Sequence, residues 1–265
     1  GLKITLSEGE TVILDGKGYS INGKDQIDEG SESMPALEIA GAGTLILKNA
    51  NLTGGHGNEE FWHNGQGATA IRVTSPDVSL ILQETVNIIG GKAASGNTSG
   101  SKAGNGSSGI EFSGAILKVD RGSKITIKGS DGYQGMSGDA YVNGLDGTPG
   151  GCALNFTGGS LLVRDDARLT LTGGNGGRGD SGYERLKNKF QSYGTANGTN
   201  GGNGGDALSF EGNVYAISST AKITYTPGTG GAAGTYKDSD GTTLLDGEVG
   251  KQGIDGQNLA YSNGL

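Results

Sequence analysis

The chain has 265 residues, a formal net charge of −8 at pH 7, 32% hydrophobic residues, 55 glycines and one cysteine. That length suits one large β domain or two small ones, and the apolar content suits a narrow interior rather than a broad core. The acidic balance, with no basic stripe, argues against a nucleic-acid partner; the lone Cys152 excludes an intrachain disulfide; and no apolar run is long enough to span a membrane.

Glycine at this abundance without a continuous triplet repeat commonly marks low complexity. Here it alternates with well-patterned segments, so most glycines read as ordered loop backbone. Along residues 2–35, Ile4, Leu6, Val12, Leu14 and Ile21 fall in similar runs and predict an N-terminal lead-in coil and cap. Five variations on one phrase follow: Ala36-Leu37-Glu38-Ile39, Ala70-Ile71-Arg72-Val73, Gly109-Ile110-Glu111-Phe112, Ala153-Leu154-Asn155-Phe156 and Ala207-Leu208-Ser209-Phe210. The anchors Ile39, Val73, Phe112, Phe156 and Phe210 lie 34, 39, 44 and 54 residues apart.

Each phrase leads into two more alternating strands. The second repeat supplies Val78 and Leu80, then Val86 and Ile88; the third supplies Leu117 and Val119, then Ile125 and Ile127. The fourth gives Leu161, Val163, Leu169 and Leu171, and the fifth Tyr215, Ile217, Ile223 and Tyr225. In the first repeat Leu52 fits, but the middle strand, Thr44 to Leu47, can be registered two ways. Period-two alternation buries one face of a strand. Three such strands, joined by turns such as Asp120-Arg121-Gly122 and Arg164-Asp165-Asp166, make one coil. A repeat whose length drifts while its strand pattern holds is a solenoid with loops of growing size. One domain is expected over 1–265: the lead-in coil and cap at 1–35, five looped coils at 36–258, and the start of a sixth coil at 259–265. Leu259 and Tyr261 restart the pattern, so either the chain is a fragment or its last loop folds back over an open sheet edge.

The three-strand coil, with openings such as Thr11-Val12-Ile13-Leu14-Asp15-Gly16-Lys17-Gly18-Tyr19-Ser20-Ile21, resembles the right-handed parallel β-helix proteins of the pectin-lyase-like group, particularly bacterial surface and secreted members. The resemblance covers most of the chain. It implies an all-β, single-stranded right-handed parallel β-helix with long Gly-rich loops stacked on one side. It implies architecture more than activity, because the group includes lyases, hydrolases, phage tail proteins and adhesins.

Every long insertion falls at one corner, after Thr53, Ile89, Lys128, Thr172 and Thr226. Within the insertions glycine recurs at every third residue: Gly129, Gly132, Gly135 and Gly138; Gly144, Gly147 and Gly150; Gly201 and Gly204; Gly250, Gly253 and Gly256. Such spacing suits an extended helix of three residues per turn whose bare side packs against a neighbour. Several loops are therefore expected to run as layered segments beside the solenoid, hydrogen-bonded backbone to backbone.

The loops also hold aromatic side chains, which stack on sugar rings. Phe61, Trp62, His63, Tyr133 and Tyr141 are the candidate ligand contacts, Trp62 foremost. Tyr183, Leu186, Phe190 and Tyr193 read instead as the packed face of a short helix. A competing site uses the outward positions after the first strand, where Glu38, Arg72 and Glu111 form a neighbouring ladder. The lyase members of the group need acidic calcium ligands and an arginine base on such a face; the plainer reading is an ion-pair ladder.

Other motifs carry less. Gly55-His56-Gly57 and Asp165-Asp166 are similar to two pieces of the polygalacturonase signature, in reversed order and without its Arg-Ile-Lys. Gly201-Gly202-Asn203-Gly204-Gly205-Asp206-Ala207-Leu208-Ser209 matches one calcium-binding β-roll nonapeptide, leaving Asp206 as the single weak Ca2+ ligand and no other cofactor. Arg178-Gly179-Asp180-Ser181 is an integrin-type tetrapeptide. Thr126, Thr170 and Thr224 stack in one column that continues as Asn51 and Asn87, read as a hydroxyl and amide ladder. Cys152 reads as a packed thiol. The expectation is a non-catalytic, adhesin-like binding protein outside the cell or on its surface, its signal peptide removed, meeting a glycan or a host or cell-surface component. The alternatives are a polysaccharide lyase or glycoside hydrolase, and a structural stalk.

Overall fold

The structure, a computed structural model, describes residues 1–27, 31–58, 65–94, 104–135, 145–179 and 199–234. Fourteen strands make up the regular structure of these residues, with no helix among them. The chain opens with β1 (Leu2–Asp15) and β2 (Ser20–Asn22), and the first repeat is one continuous strand, β3 (Leu37–Thr53). The second repeat holds β4 (Ile71–Val73) and β5 (Val78–Ile89). The third holds β6 (Ile110–Phe112), β7 (Ile116–Val119) and β8 (Lys124–Lys128), and the fourth β9 (Leu154–Phe156), β10 (Ser160–Val163) and β11 (Arg168–Thr172). The fifth ends the described strands with β12 (Leu208–Phe210), β13 (Val214–Ile217) and β14 (Lys222–Thr226).

All pairings are parallel, and each strand pairs with its counterpart in the next repeat, giving one strongly curled sheet. The alternation read from the sequence is the alternation of burial. Leu154 and Phe156 are buried with Asn155 between them, and Leu169 and Leu171 with Thr170 between them. The ambiguous first repeat is settled by its neighbours: Leu45 and Leu47 stand opposite Leu80 and Leu82 and both point inward. Residues 2–22 join the sheet through β1 and β2, which pair with β3.

Like residues stack inside. Phe112, Phe156 and Phe210 form a continuous column of rings with centroids 4.9 Å apart at each step, and Tyr215 meets the last ring at 5.3 Å. Stacking of this kind adds to the burial of each ring. The bend before the third strand places one residue in the left-handed region in four of the repeats: Asn49, Glu84, Gly122 and Asp166, with φ of 48°, 57°, 69° and 56°. One such residue turns the chain sharply without breaking the ladders on either side.

Beyond the third strands the glycine-rich chain builds a second architecture. Gly129, Gly132 and Gly135 donate to the carbonyls of Thr172, Asn175 and Arg178 at 2.9, 2.7 and 2.6 Å. Gly173, Gly176 and Gly179 repeat the pattern to Thr226, Thr229 and Ala232. On the way back, Gly147, Gly150 and Ala153 donate to Asn200, Asn203 and Asp206. Outgoing and returning runs thus form two layers, each continuing the direction of the solenoid.

The layers are bonded to each other in the antiparallel sense. Gly174 and Gly177 donate to Gly151 and Thr148, and Gly202 and Gly205 donate to Gly177 and Gly174. A donor every third residue in each direction is the three-residue-per-turn pattern expected from the sequence. Glycine is required because the chains approach backbone to backbone: a Cβ on Gly174 would overlap the Ser130 carbonyl, and one on Gly205 the Gly151 carbonyl.

Candidate functional site

The glycine slab positions the loops. Its third face, turned outward, is closed by short side chains. Asp25 accepts the His56 N–H at 2.7 Å, and His56 Nδ1 accepts the Lys92 N–H at 2.9 Å. Asp131 accepts the Asn175 N–H at 2.8 Å, Asn175 accepts the Thr229 N–H at 3.0 Å, and Asp146 accepts the Asn200 N–H at 2.7 Å. Each of these acceptors caps an amide one layer on, so the outward N–H groups of His56, Lys92, Asn175, Thr229 and Asn200 are satisfied. Inside, Thr148 is buried and its hydroxyl donates to the Gly104 carbonyl at 2.7 Å. Ser130, also buried, accepts the Ser107 N–H at 2.7 Å. These rails escaped the sequence reading. The signal was partial: Asp25, His56, Asp131 and Asn175 recur at one slab position, interrupted by Lys92 in the second repeat.

Loop bases converge along the far edge of this slab. Gly57 bonds Lys92, Gly135 bonds Arg178 and Gly179 bonds Ala232, so chain ends next to the connecting segments lie side by side. Phe61, Trp62, His63 and Tyr141 fall outside the described residues, as do Asp180, Ser181, the 183–193 segment, Tyr236, and Leu259 with Tyr261. Tyr133 is described. It is half-buried within the slab, donating its N–H to the Thr148 hydroxyl at 2.7 Å and accepting the Thr148 N–H at 2.9 Å.

The strand-face ladder forms as expected. Lys3, Glu38, Arg72, Glu111, Asn155 and Ser209 stand in register on adjacent strands. Lys3 pairs with Glu38 at 2.8 Å, and Arg72 Nε with Glu111 at 3.0 Å. Beside it a polar cleft of about 350 Å3 is lined by Gln26, Ser31, Glu32, Ser33, Gln66 and Arg72. The cleft is the right size for a small polar ligand. Its guanidinium, though, is already engaged by a carboxylate.

The remaining motifs are not brought together. His56 sits in the slab, whereas Asp165 lies in the turn before β11 and bonds the Ser218 hydroxyl. Around Asp206 no group of three or more His, Cys, Asp or Glu side chains assembles among the described residues. Cys152 is mostly covered, and burial pushes its thiol above the usual range, away from a reactive thiolate.

The outer face of the third strands carries a second kind of column. Asn51, Asn87, Thr126, Thr170 and Thr224 stand in register, and the Asn87 amide donates to Asn51 at 2.8 Å. Next to them run Thr85, Lys124, Arg168 and Lys222. The sequence shows no basic stripe, yet register builds one from residues 44 and 54 positions apart. No family model matches the chain, and comparison with curated proteins and with solved structures likewise finds no match.

Proposed function

We propose that this protein is a right-handed, three-strand-per-coil β-helix of the pectin-lyase-like kind, secreted or displayed on a bacterial surface. In this reading it binds a glycan or cell-surface component and catalyses nothing. The observation that carries the reading is the slab. Two layers of glycine backbone, bonded in two directions, hold successive loop bases along one edge of a rigid frame. Frames that fix loop bases and leave the tips to vary are how binding surfaces are commonly presented. Phe61, Trp62, His63 and Tyr141 belong to segments that start and finish on that edge, and their rings supply apolar faces for sugars. A glycan array probed with the intact protein tests this: binding should appear and should weaken about tenfold or more in Trp62→Ala. Wild-type binding that Trp62→Ala, Phe61→Ala and Tyr141→Ala all leave intact would refute the loop site.

A second reading is favoured by the polar cleft beside Arg72. A polysaccharide lyase would use Arg72 as base, with Glu38 and Glu111 holding calcium against a uronate carboxylate. Incubation with acidic polysaccharides and calcium would then generate unsaturated-sugar absorbance, lost in Arg72→Ala. Silence in both assays would leave the third reading, a stalk segment of a larger surface protein.

A further inference from the structure

We infer that the outer face of β8, β11 and β14 is a binding track for a linear anionic polysaccharide, separate from the loop edge. Lys124, Arg168 and Lys222 occupy one register position on three adjacent parallel strands. Neighbouring strands lie ~4.8 Å apart, so the three charges are stacked at that spacing. All three are exposed, and like charges directly opposite one another destabilise a sheet.

The rest of the strand surface avoids this arrangement. Lys3, Lys48, Arg72 and Lys118 each have a carboxylate within ion-pairing distance. Lys124, Arg168 and Lys222, together with Lys128 on the same face, have none among the described residues. The column from Thr85 on β5 to Lys222 on β14, and the two outward columns beside it traced from β2 through β14, contain no Asp or Glu. That is unexpected in a chain with 28 acidic and 20 basic residues. An uncompensated cation column in an acidic protein is the electrostatic footprint of an anionic partner.

Geometry narrows the partner. The middle column offers Thr126, Thr170 and Thr224 hydroxyls beside the cations, a row of donors and acceptors suited to sugar hydroxyls and to sulfate or carboxylate oxygens. Towards β2 the track opens into a hollow of about 510 Å3, lined by Lys17, Asn49, Asn51, Thr85 and Asn87, which adds a further cation; its three amides already donate, to the Glu84 carboxylate, the Gly18 carbonyl and Asn51. The outward side chains of β8, β11 and β14 include no aromatic ring, so the face suits an extended charged chain laid across the strands rather than stacked bases. A sulfated and a carboxylated polysaccharide share the chemistry required.

The test uses the whole protein against dextran sulfate, polygalacturonate and uncharged dextran. One or both of the charged polymers should bind, with affinity falling steeply as salt rises; uncharged dextran should not. Which charged polymer binds identifies the anion. The triple variant K124Q/R168Q/K222Q should weaken binding about tenfold to a hundredfold and flatten the salt dependence. Its melting temperature should equal or exceed that of the wild type, which separates lost contacts from lost fold. Trp62→Ala should leave polyanion binding unchanged, so this track and the loop edge fail independently. Binding that survives in the triple variant, or absence of binding to both charged polymers at low salt, would overturn the proposal.

Discussion

Gly177→Ala probes the slab at its tightest point. A Cβ there would overlap the carbonyl carbon and oxygen of Tyr133 and lie 2.9 Å from the Gln134 amide nitrogen. To restore ordinary contact the two runs must part by about 1 Å or more. That movement breaks or stretches the bonds from Gly132 to Asn175 and from Gly135 to Arg178, which join the same pair of segments at 2.7 and 2.6 Å. Two backbone bonds lost or left half-satisfied cost about 2–4 kcal/mol. The lower entropy of the unfolded alanine chain offsets about 0.5–1 kcal/mol of this. The net is about 1–3.5 kcal/mol, or roughly 2–14 °C in Tm for a protein of this size. Thermal unfolding followed by circular dichroism measures the shift. Hydrogen exchange locates it: amides at 148, 151, 174, 177, 202 and 205 should lose protection while those of β9 to β11 keep theirs. Gly158→Ala is the control, since its nearest heavy atom to the added carbon is the Ser113 oxygen at 3.9 Å. A Gly177→Ala protein that melts within a degree of wild type would refute the close-packed slab.

Two further outcomes are expected. Phe156→Ala removes the middle ring of the aromatic column and should cost about 3–5 kcal/mol in urea unfolding, whereas Phe156→Leu should cost far less. Burial pushes the Asp120 carboxyl up, but the Lys118 ammonium and the Gln83 amide, at 2.9 and 2.8 Å, outweigh it and hold it below the usual range. A depressed folded-state value means the stabilisation is present above the unfolded carboxylate value of about 3.9 and is lost as pH falls below it. Asp120→Asn should therefore be less stable than wild type at pH 7, and a series of melting temperatures should show the gap closing below about pH 4.

Much of the fold was legible because packing writes it into one dimension. Leu154-Asn155-Phe156 can bury its first and third residues only as a strand, and five such phrases at drifting intervals leave a stacked solenoid as the economical solution. The glycine triplets were equally readable, since a run that is bare every third residue has few other uses than contact between backbones. The ladder of Glu38, Arg72 and Glu111 followed from the same register. The rails were less visible, because Asp131, Asn175 and Thr229 look like ordinary loop polar residues until their side chains are seen capping the next layer's amides.

By itself, then, the sequence determined the strand pattern, the core columns and the extended glycine runs, all of which depend on residues a few positions apart. The tertiary structure decided what lies across the strands. Lys124, Arg168 and Lys222 are separated by 44 and 54 residues of intervening loop, yet stand in one column because their strands share backbone hydrogen bonds. Charge adjacency of that kind is set by register between repeats, and insertions of unequal length hide it from any reading along the chain.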